Sequence, residues 1–386
     1  MRVWFLTRSL SPFQDTGGGQ IRKAQVDGLM ALGWDIAVVM PEYRKKTITI
    51  KDNITMIPMF GKQRILNWMQ RIGLLEDYLD YWVNDAYEYM KNRVAKDDII
   101  IATSGGELGM IKLGSLLKIK TNCKFIINFH DPIAYSLVNN LRLDNSFHVS
   151  REKVEEKYIK YSDIIITSSN VHKNSLILKY PEISSKIVNI YFGYIKTNNA
   201  IKNRKVDNKI NIAYSGNISK LQSPEILYQA YARNPIDNIN LYFIGNTKGY
   251  KPMQNILDKN VHIYNLMPHK EFINFMINNI DIGFVSLSNE YLGACVPSKI
   301  YEYINLGLPI IGALPYGDAY NIINDNKYGI CVKYNDIVSL SEAISGFKDV
   351  ELLNTFRQNI LNNKTRWSID KTIDNFNEIL MELSSI

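Results

Sequence analysis

The chain has 386 residues, of which 46% are hydrophobic, and a formal net charge of +7. This length exceeds what one hydrophobic core usually serves, so we expect a globular protein of two domains. The first apolar run is too short for a signal peptide, and no run of about 18 uncharged apolar residues occurs, which predicts a cytoplasmic protein. Three widely spaced cysteines, Cys123, Cys295 and Cys331, indicate neither a disulfide framework nor a zinc site.

Most of the excess of basic residues lies before Ile195. A mildly basic half is compatible with nucleic acid, an anionic membrane surface or a phosphorylated substrate. No dense Lys/Arg tract with interleaved aromatic residues occurs, so nucleic acid is the least favoured of the three.

Short β-branched runs alternate with helical stretches along the chain, a pattern typical of α/β units with parallel sheets. The polar, Asn- and Lys-rich stretch 196–209 predicts a linker between an N-terminal domain, 1–195, and a C-terminal domain, 210–367. We expect each domain to be Rossmann-like. The predicted strands are Val3–Leu6, Asp35–Val39, Ile99–Ala102, Phe125–Phe129, Ile164–Thr167, Val188–Tyr191, Ile210–Tyr214, Leu241–Ile244, Val261–Tyr264, Ile282–Val285, Pro309–Gly312 and Gly329–Val332.

Three consecutive glycines, Gly17, Gly18 and Gly19, follow the first predicted strand and open a helix. Their spacing is neither that of a dinucleotide fingerprint nor that of a Walker P-loop, which disfavours NAD and ATP. The glycines either form a flexible turn or let the backbone approach a ligand. We favour the ligand, because such folds bind at the carboxyl ends of their strands.

The segment 61–93 carries an apolar stripe at helical spacing, with Lys62, Arg64 and Arg71 beside its beginning. Such a helix either packs into the core of the first domain or docks on an anionic bilayer surface. We favour packing in the core, because the stripe is long and uniform.

His130 and Asp131 end a strongly apolar strand just before Pro132, so their side chains can reach a site at its carboxyl end. A lone histidine is more often structural than catalytic, but the position of His130 at the end of a strand raises the functional interpretation, so both stay open. Glu107, after another strand, is a weaker candidate for the same site.

Glycine-containing loops with a nearby lysine also follow two strands of the second half, at Gly216, Asn217 and Lys220 and at Gly245. Such loops suit the neutralisation of phosphate. Lys220 is either a phosphate ligand or a solvated surface lysine, and we favour the former.

The stretch Val296–Ile311 predicts a short helix followed by a buried strand. Pro297 suits the first helical position, and Gly307 with Pro309 ends the helix. Val296, Ile300 and Ile304 share one face, whereas Ser298, Lys299 and Glu302 share the other. A helix N-terminus favours phosphate, Lys299 adds a charge and Glu302 accepts hydrogen bonds from hydroxyls. These features outline a nucleotide-sugar site.

Together these motifs resemble the retaining GT-B glycosyltransferases of family 4, which include many bacterial enzymes of surface-polysaccharide assembly. The resemblance covers nearly the whole chain and is most specific at the Pro-Ser-Lys helix. It is carried by the Gly-Gly-Gly loop with the helix ending in Ala-Leu-Gly-Trp34, Phe129-His-Asp-Pro132, Ser162–Ser168, Ser215-Gly-Asn217 and Val296–Pro309.

The resemblance implies two Rossmann-like domains facing each other across a deep cleft, with the nucleotide sugar in the second and most of the acceptor site in the first. It also implies a C-terminal helix, about 368–386, that crosses back to the first domain. The family commonly has two glutamates separated by seven residues; here the second is Glu302, and Ala294 occupies the first position. Where the family often has an arginine, this chain has Asn217.

From the resemblance we expect a glycosyltransferase of the hexosyltransferase type that retains the anomeric configuration and needs no metal. Its donor would be a UDP- or GDP-linked sugar, and its acceptor a saccharide or a polyprenyl-diphosphate-linked saccharide in cell-surface polysaccharide synthesis. The chain would lie in the cytoplasm or peripherally on the inner face of the membrane. The alternatives are a non-catalytic subunit of the same fold, which Ala294 and Asn217 allow, and a nucleotide-sugar epimerase or phosphorylase.

The same resemblance assigns the ribose hydroxyls to Glu302, the diphosphate to Lys220, Lys299 and the amides of Cys295 to Ser298, and the donor sugar to the region of His130. The expected catalytic residues are His130, Glu302 and Lys220. The expected binding residues are Gly17, Gly18, Gly19, Gly216, Asn217, Lys220, Gly245, Val296, Pro297, Ser298, Lys299 and Glu302.

Overall fold

A computed structural model describes residues 1–14, 16–142, 146–197, 209–254 and 256–385. The chain divides into two compact units, which we call unit 1 (Met1–Phe192 with Ile369–Ile386) and unit 2 (Gly193–Ser368). The predicted linker falls largely on 198–208, which lie outside the described residues.

The strands of unit 1 are β1 (Val3–Leu6), β2 (Ile36–Glu42), β3 (Thr49–Lys51), β4 (Ile54–Pro58), β5 (Ile99–Gly105), β6 (Lys124–Asp131), β7 (Leu137–Val138), β8 (Leu141–Arg142), β9 (Ile164–Thr167) and β10 (Ile187–Asn189). Eight of them form one sheet in the order β10-β9-β6-β5-β1-β2-β4-β3, parallel except for the β3–β4 pair, and β7 and β8 pair separately. The inner strands of the large sheet are continuous apolar runs, as expected of a parallel sheet that is covered on both faces.

The helices of unit 1 include one from the C-terminal end of the chain. This helix, α13 (Ile369–Ser384), packs on α1 (Gly17–Ala31), where Ile373 fills the space above Gly28 and Trp34 donates a hydrogen bond from Nε1 to Asn377 Oδ1 at 2.8 Å. The others are α2 (Gln63–Arg71), α3 (Asp80–Met90), α4 (Gly109–Thr121), α5 (Ser146–Ile159) and α6 (Asn170–Lys179).

Unit 2 contains a six-stranded, fully parallel sheet in the order β13-β12-β11-β14-β15-β16. This is the doubly wound order, in which the direction of winding reverses beside the first strand. Its strands are β11 (Ile210–Ser215), β12 (Ile239–Ile244), β13 (Val261–Tyr264), β14 (Ile282–Ser286), β15 (Ile310–Leu314) and β16 (Gly329–Lys333). Its helices are α7 (Glu225–Arg233), α8 (His269–Asn279), α9 (Ser298–Asn305), α10 (Asp318–Asp325), α11 (Ile337–Gly346) and α12 (Val350–Asn363).

Each predicted strand is present, and the parallel α/β prediction is confirmed. The bounds of β1, β9 and β13 are those predicted, and the other predicted strands have shifted ends. The strands β3 and β4 and the small β7–β8 pair were not predicted. These strands are short, and β4 ends on a proline, which lowers the strand signal because proline cannot donate to the ladder.

The expectation that the stripe in 61–93 packs into the core is correct only for its second half. The stripe is divided between α2 and α3, because Gly73, at φ +79, ends the first helix and the turn that follows changes the helical phase. Trp82, Val83 and Ala86 on α3 are buried, whereas Ile65, Trp68 and Ile72 are at least half exposed.

Within the described ranges, no helix combines the length and the apolar character that crossing a bilayer requires.

The packing of α9 on β14 gives a test of stability. A Cβ atom at Gly283 would lie 2.4 Å from the ring of Tyr303, which is fully buried and whose hydroxyl is 3.1 Å from the Phe284 carbonyl oxygen. We expect Gly283→Ala to lower the free energy of unfolding by about 1–3 kcal/mol, measured by urea denaturation. The matched control is Gly346→Ala at the end of α11, where a Cβ atom meets nothing within 4 Å; equal effects of the two substitutions would contradict the proposed packing constraint.

Candidate functional site

The strand order of unit 2 identifies where a ligand can bind. Sheets of this topology take ligands outside the carboxyl ends of the strands, at the point where the winding reverses. That point lies between β11 and β14. Gly216 and Asn217 follow β11, and the turn Glu290–Ala294 and α9 follow β14.

Helix α9 presents its N-terminus at this point. Val296, Ile300 and Ile304 are buried, as the predicted apolar face requires. The prediction for Pro297 is one position off, because its extended ψ of 131° makes it the N-cap and Ser298 the first helical residue. No side chain caps the helix. The Ile300 amide donates to the Pro297 carbonyl oxygen at 3.0 Å, so the Ser298 and Lys299 amides are the ones that lack a partner inside the helix.

The end of α9 and the loop before it are fixed by backbone hydrogen bonds. Gly307, at φ +65, lets the Leu308 amide return to the Tyr303 carbonyl at 2.9 Å, which ends the helix as predicted. The Cys295 amide donates to the Leu292 carbonyl oxygen at 3.0 Å. That amide is therefore already used within the protein, which corrects its expected role as a diphosphate ligand.

Lys299 lies against the backbone of β11 and its loop. Its Nζ is 3.7 Å from the centre of the Tyr214 ring, and a Cβ atom at Gly216 would be 3.0 Å from Lys299 Cε. Gly216 also has φ +103, which favours glycine. Burial lowers the pKa of the Lys299 ammonium to about 7, although Glu302 opposes this shift.

Glu302 lies one turn further along α9, with 27% of its side chain exposed. Burial raises the pKa of its carboxyl group to about 7, and Lys299 opposes this shift. The Oε1 atom of Glu302 is 4.0 Å from Nδ1 of His269, the first residue of α8. His269 was not predicted as a site residue. It follows Pro268 at the start of α8, just as Lys299 lies after Pro297 at the start of α9, so the same sequence signal could have found it.

The two glycine loops of unit 2 meet. A Cβ atom at Gly245 would lie 2.3 Å from the Gly216 carbonyl oxygen, so only glycine allows this approach. Asn217 is exposed, and its carbonyl oxygen accepts a hydrogen bond from the Tyr214 hydroxyl. Lys220 is exposed on the turn that follows, and its expected contact with diphosphate stays a prediction.

In unit 1 the three glycines form the start of α1. Thr16 is the N-cap and accepts a hydrogen bond from the Gly19 amide at 3.1 Å. A Cβ atom at Gly19 would lie 2.5 Å from the Gln14 carbonyl oxygen, so the loop closes tightly only with glycine there. A Cβ atom at Gly18 would be 3.5 Å from Arg22 Nη1.

Arg8 and Arg22, which sequence reasoning missed, lie beside this loop with Glu107. Arg22 is buried and donates to Ser9 Oγ at 2.7 Å. Glu107 is also buried, 3.3 Å from Arg8 Nε, and accepts a hydrogen bond from the Gly105 amide at 2.9 Å. The Oε2 atom of Glu107 therefore holds Arg8 and the Gly105 amide, and the interpretation of Glu107 as a site-lining acid stays a prediction. Glu107 raises the pKa of Arg8, and burial lowers that of Arg22.

His130 is buried at the end of β6. Its ring centre is 4.4 Å from that of Phe192, and Asn128 Nδ2 is 3.4 Å from Nε2. Burial, together with Arg22 and Arg8, lowers the pKa of His130 well below its usual value. The imidazole is therefore neutral near pH 7 and can exchange hydrogen bonds, but it cannot act as a cation.

In the part of the chain that the structure describes, no group of three or more His, Cys, Asp and Glu side chains is arranged to hold a metal ion.

Comparisons with known proteins agree with this description. Residues 195–367, less than half of the chain, match the family model described as "Glycosyl transferases group 1". Among curated proteins, none matches the chain significantly.

Solved structures of the same fold cover the whole length of the chain. The lipopolysaccharide outer core galactosyltransferase WaaB, without ligand, is 13% identical, with 99% of each chain covered and a TM-score of 0.71. Anabaena Alr3699/HepE in complex with UDP and glucose is 14% identical over 99% of this chain and 100% of the other, with a TM-score of 0.71. The E. coli trehalose-6-phosphate structure bound with UDP-2-fluoro glucose is 12% identical over 100% and 99%, with a TM-score of 0.73.

The chain therefore has the GT-B fold, with two Rossmann-like domains. With the group 1 match in residues 195–367, it is a glycosyltransferase.

The lowered pKa of Lys299 predicts that this residue destabilises the ligand-free protein. Unfolded Lys299 titrates near 10.5 and the folded one near 7, so the unfolded chain binds more protons between these pH values. The cost is therefore full below pH 7 and disappears as the pH rises towards 10.5. We expect Lys299→Met to raise the free energy of unfolding at pH 6 by on the order of 1 kcal/mol, and this gain to shrink by pH 9.

Glu302 changes this trend little in the variant. With a pKa of about 7 its carboxyl group is mostly protonated at pH 6, and at pH 9, where it is charged, the wild-type Lys299 beside it is itself mostly neutral. Urea denaturation at pH 6, 7.5 and 9 measures the trend, with the exposed Lys220→Met as control. A gain that does not depend on pH would show that Lys299 carries its charge in the folded state without cost.

Proposed function

We propose that the protein transfers a sugar from a nucleotide-diphosphate sugar, with retention of configuration, to a saccharide or lipid-linked saccharide acceptor in cell-surface polysaccharide synthesis. The observation that carries this proposal is the position of Lys299. Its ammonium is held against Tyr214 and Gly216 at the start of α9, at the ligand-binding edge of the sheet.

A diphosphate would place a full negative charge beside the Lys299 ammonium. A phosphate group beside Lys299 would favour the charged ammonium and would accept hydrogen bonds from the first amides of α9. When the sugar leaves, negative charge builds on the diphosphate, and fixed cations and amides stabilise that charge in the transition state. Lys220, on the loop after β11, would add a second cation, so we expect the reaction to proceed in the presence of EDTA.

Glu302 would hold the ribose. Its partly exposed carboxyl group, one helical turn from the amides of α9, can accept hydrogen bonds from two neighbouring hydroxyls. His269 is close enough to orient the Glu302 carboxyl group or to contact the same nucleoside.

Unit 1 would supply the groups at the sugar. In this proposal the tight Gly17–Gly19 loop would let its backbone approach a sugar, and neutral His130 would donate a hydrogen bond to a sugar hydroxyl. Because HepE and the E. coli trehalose-6-phosphate structure contain UDP or a UDP-sugar analogue, we propose UDP-sugars as the first donors to test.

The proposed function is tested by a screen of UDP- and GDP-sugars for thermal stabilisation, followed by incubation of the stabilising donor with saccharide and lipid-linked acceptors. Ligands that bind only the folded state raise its melting temperature. Proton NMR of the product then reads the anomeric configuration, and we expect the donor configuration to persist. Inversion would contradict retention, an isomerised donor would indicate an epimerase, and stabilisation without donor consumption would indicate a non-catalytic subunit.

The role of Glu302 gives a direct prediction. Losing hydrogen bonds to a charged group costs about 1.5–3 kcal/mol, so Glu302→Ala should weaken donor binding by about tenfold or more. Isothermal titration with the donor and with free nucleoside diphosphate measures the loss. The control is Glu342→Ala, an exposed glutamate on α11; wild-type affinity in Glu302→Ala would refute the assignment.

A further inference from the structure

We propose that the stretch Phe60–Leu74, which we call the docking segment, binds the surface of an anionic lipid bilayer. The segment contains α2 and the residues at its two ends. Membrane binding would bring the enzyme to a lipid-linked acceptor. The proposal rests on the proposed function only for this biological role, because binding to the bilayer itself needs no transfer activity.

The first observation is that the docking segment exposes a group of large apolar side chains. Ile65, Trp68 and Ile72 lie at i, i+3 and i+7 on one face and are 53%, 57% and 50% exposed, and Phe60 and Leu74 at the two ends are 54% and 64% exposed. Single exposed apolar residues are common on proteins, but a contiguous apolar group marks an interaction surface.

The opposite side of α2 is packed against the core of unit 1. Leu66 on α2 is buried, and Met69 on α2 and Leu75 after it contact the hydrophobic core. In addition, Gln70 Oε1 accepts a hydrogen bond from the Tyr78 amide at 3.0 Å. Ile65, Trp68 and Ile72 are therefore held outward by a fixed helix.

The second observation is the charge of the docking segment. Lys62, Arg64 and Arg71 are exposed, and no acidic residue occurs between Asp52 and Glu76. An apolar face beside basic residues is the composition of helices that lie in the plane of a membrane interface, where Lys and Arg reach the headgroups. Because the charge is of one sign only, it complements anionic lipid.

Trp68 provides the measurement. Trp4, Trp82 and Trp367 are buried and Trp34 is partly buried, which leaves Trp68 as the most exposed of the five tryptophans. The full-length protein is mixed with vesicles of phosphatidylcholine containing 30% phosphatidylglycerol, without donor or acceptor. We expect co-sedimentation and a blue shift of the tryptophan emission, both weaker on pure phosphatidylcholine and at high salt.

Two independent variants test the surface. Lys62→Glu/Arg64→Glu/Arg71→Glu should lower the partition coefficient on anionic vesicles at least about tenfold, since each basic residue near such a surface contributes about 1 kcal/mol. Trp68→Ser/Ile72→Ser should also lower binding about tenfold and abolish the blue shift. All five positions are exposed, and thermal melting checks that each variant is folded.

Matched controls separate this surface from general charge or stickiness. Lys96→Glu/Lys120→Glu/Lys160→Glu reverses three exposed charges that precede β5, β6 and β9, at the opposite edge of the sheet from the end of β4. Ile119→Ser removes a 59% exposed isoleucine from α4. Both variants should bind as the wild type does. No binding of the wild type to anionic vesicles, or equal losses in variants and controls, would overturn the proposal. So would self-association that Trp68→Ser/Ile72→Ser abolishes, which would identify a second copy as the occupant.

Failure here differs from failure of the proposed transfer. Vesicle binding needs no donor, and transfer to a water-soluble acceptor needs no vesicle. If the docking-segment variants keep transfer to a soluble acceptor but lose it to a lipid-linked acceptor in vesicles, both proposals are supported.

Discussion

The contact of the Lys299 ammonium with the Tyr214 ring is the interaction on which the candidate site depends. A cation over an aromatic face gains part of the electrostatic stabilisation that it loses on leaving water. Burial nevertheless lowers the pKa of this ammonium to about 7, against the opposing effect of Glu302. The site thus keeps an incompletely compensated cation at the place where the doubly wound sheet binds its ligand.

Much of the fold was predictable from the sequence because its strands are local signals. Runs such as Ile99-Ile-Ile-Ala are apolar throughout, as expected when helices cover both faces of a sheet. Which apolar side chains of the 61–93 stripe are buried was not predictable in the same way. Periodicity identifies an apolar face but not what covers it, and the turn at Gly73 gave the two halves different surroundings.

The site was predictable where a residue follows a strand or starts a helix. Gly216, Lys299 and Glu302 were found in this way, and the structure brings them together in unit 2. Arg8 and Arg22 were missed because their roles depend on Glu107, which lies far along the chain. The approach of His269 to Glu302 likewise joins side chains of two different helices, α8 and α9, which only the folded chain brings together.

Because α13 belongs to unit 1, the two units cannot be produced separately by cutting the chain at a single point. Unit 2 is one continuous stretch, whereas unit 1 is assembled from both ends of the chain. A fragment that stops at Phe192 would lack the helix that covers Gly28 and pairs with Trp34, and it would leave the Tyr191 and Phe192 carbonyls without their Thr372 donor. An N-terminal fragment for biochemical work therefore needs residues 369–385 joined to it, and a stop codon before Ile369 removes a helix from the half of the protein that was translated first.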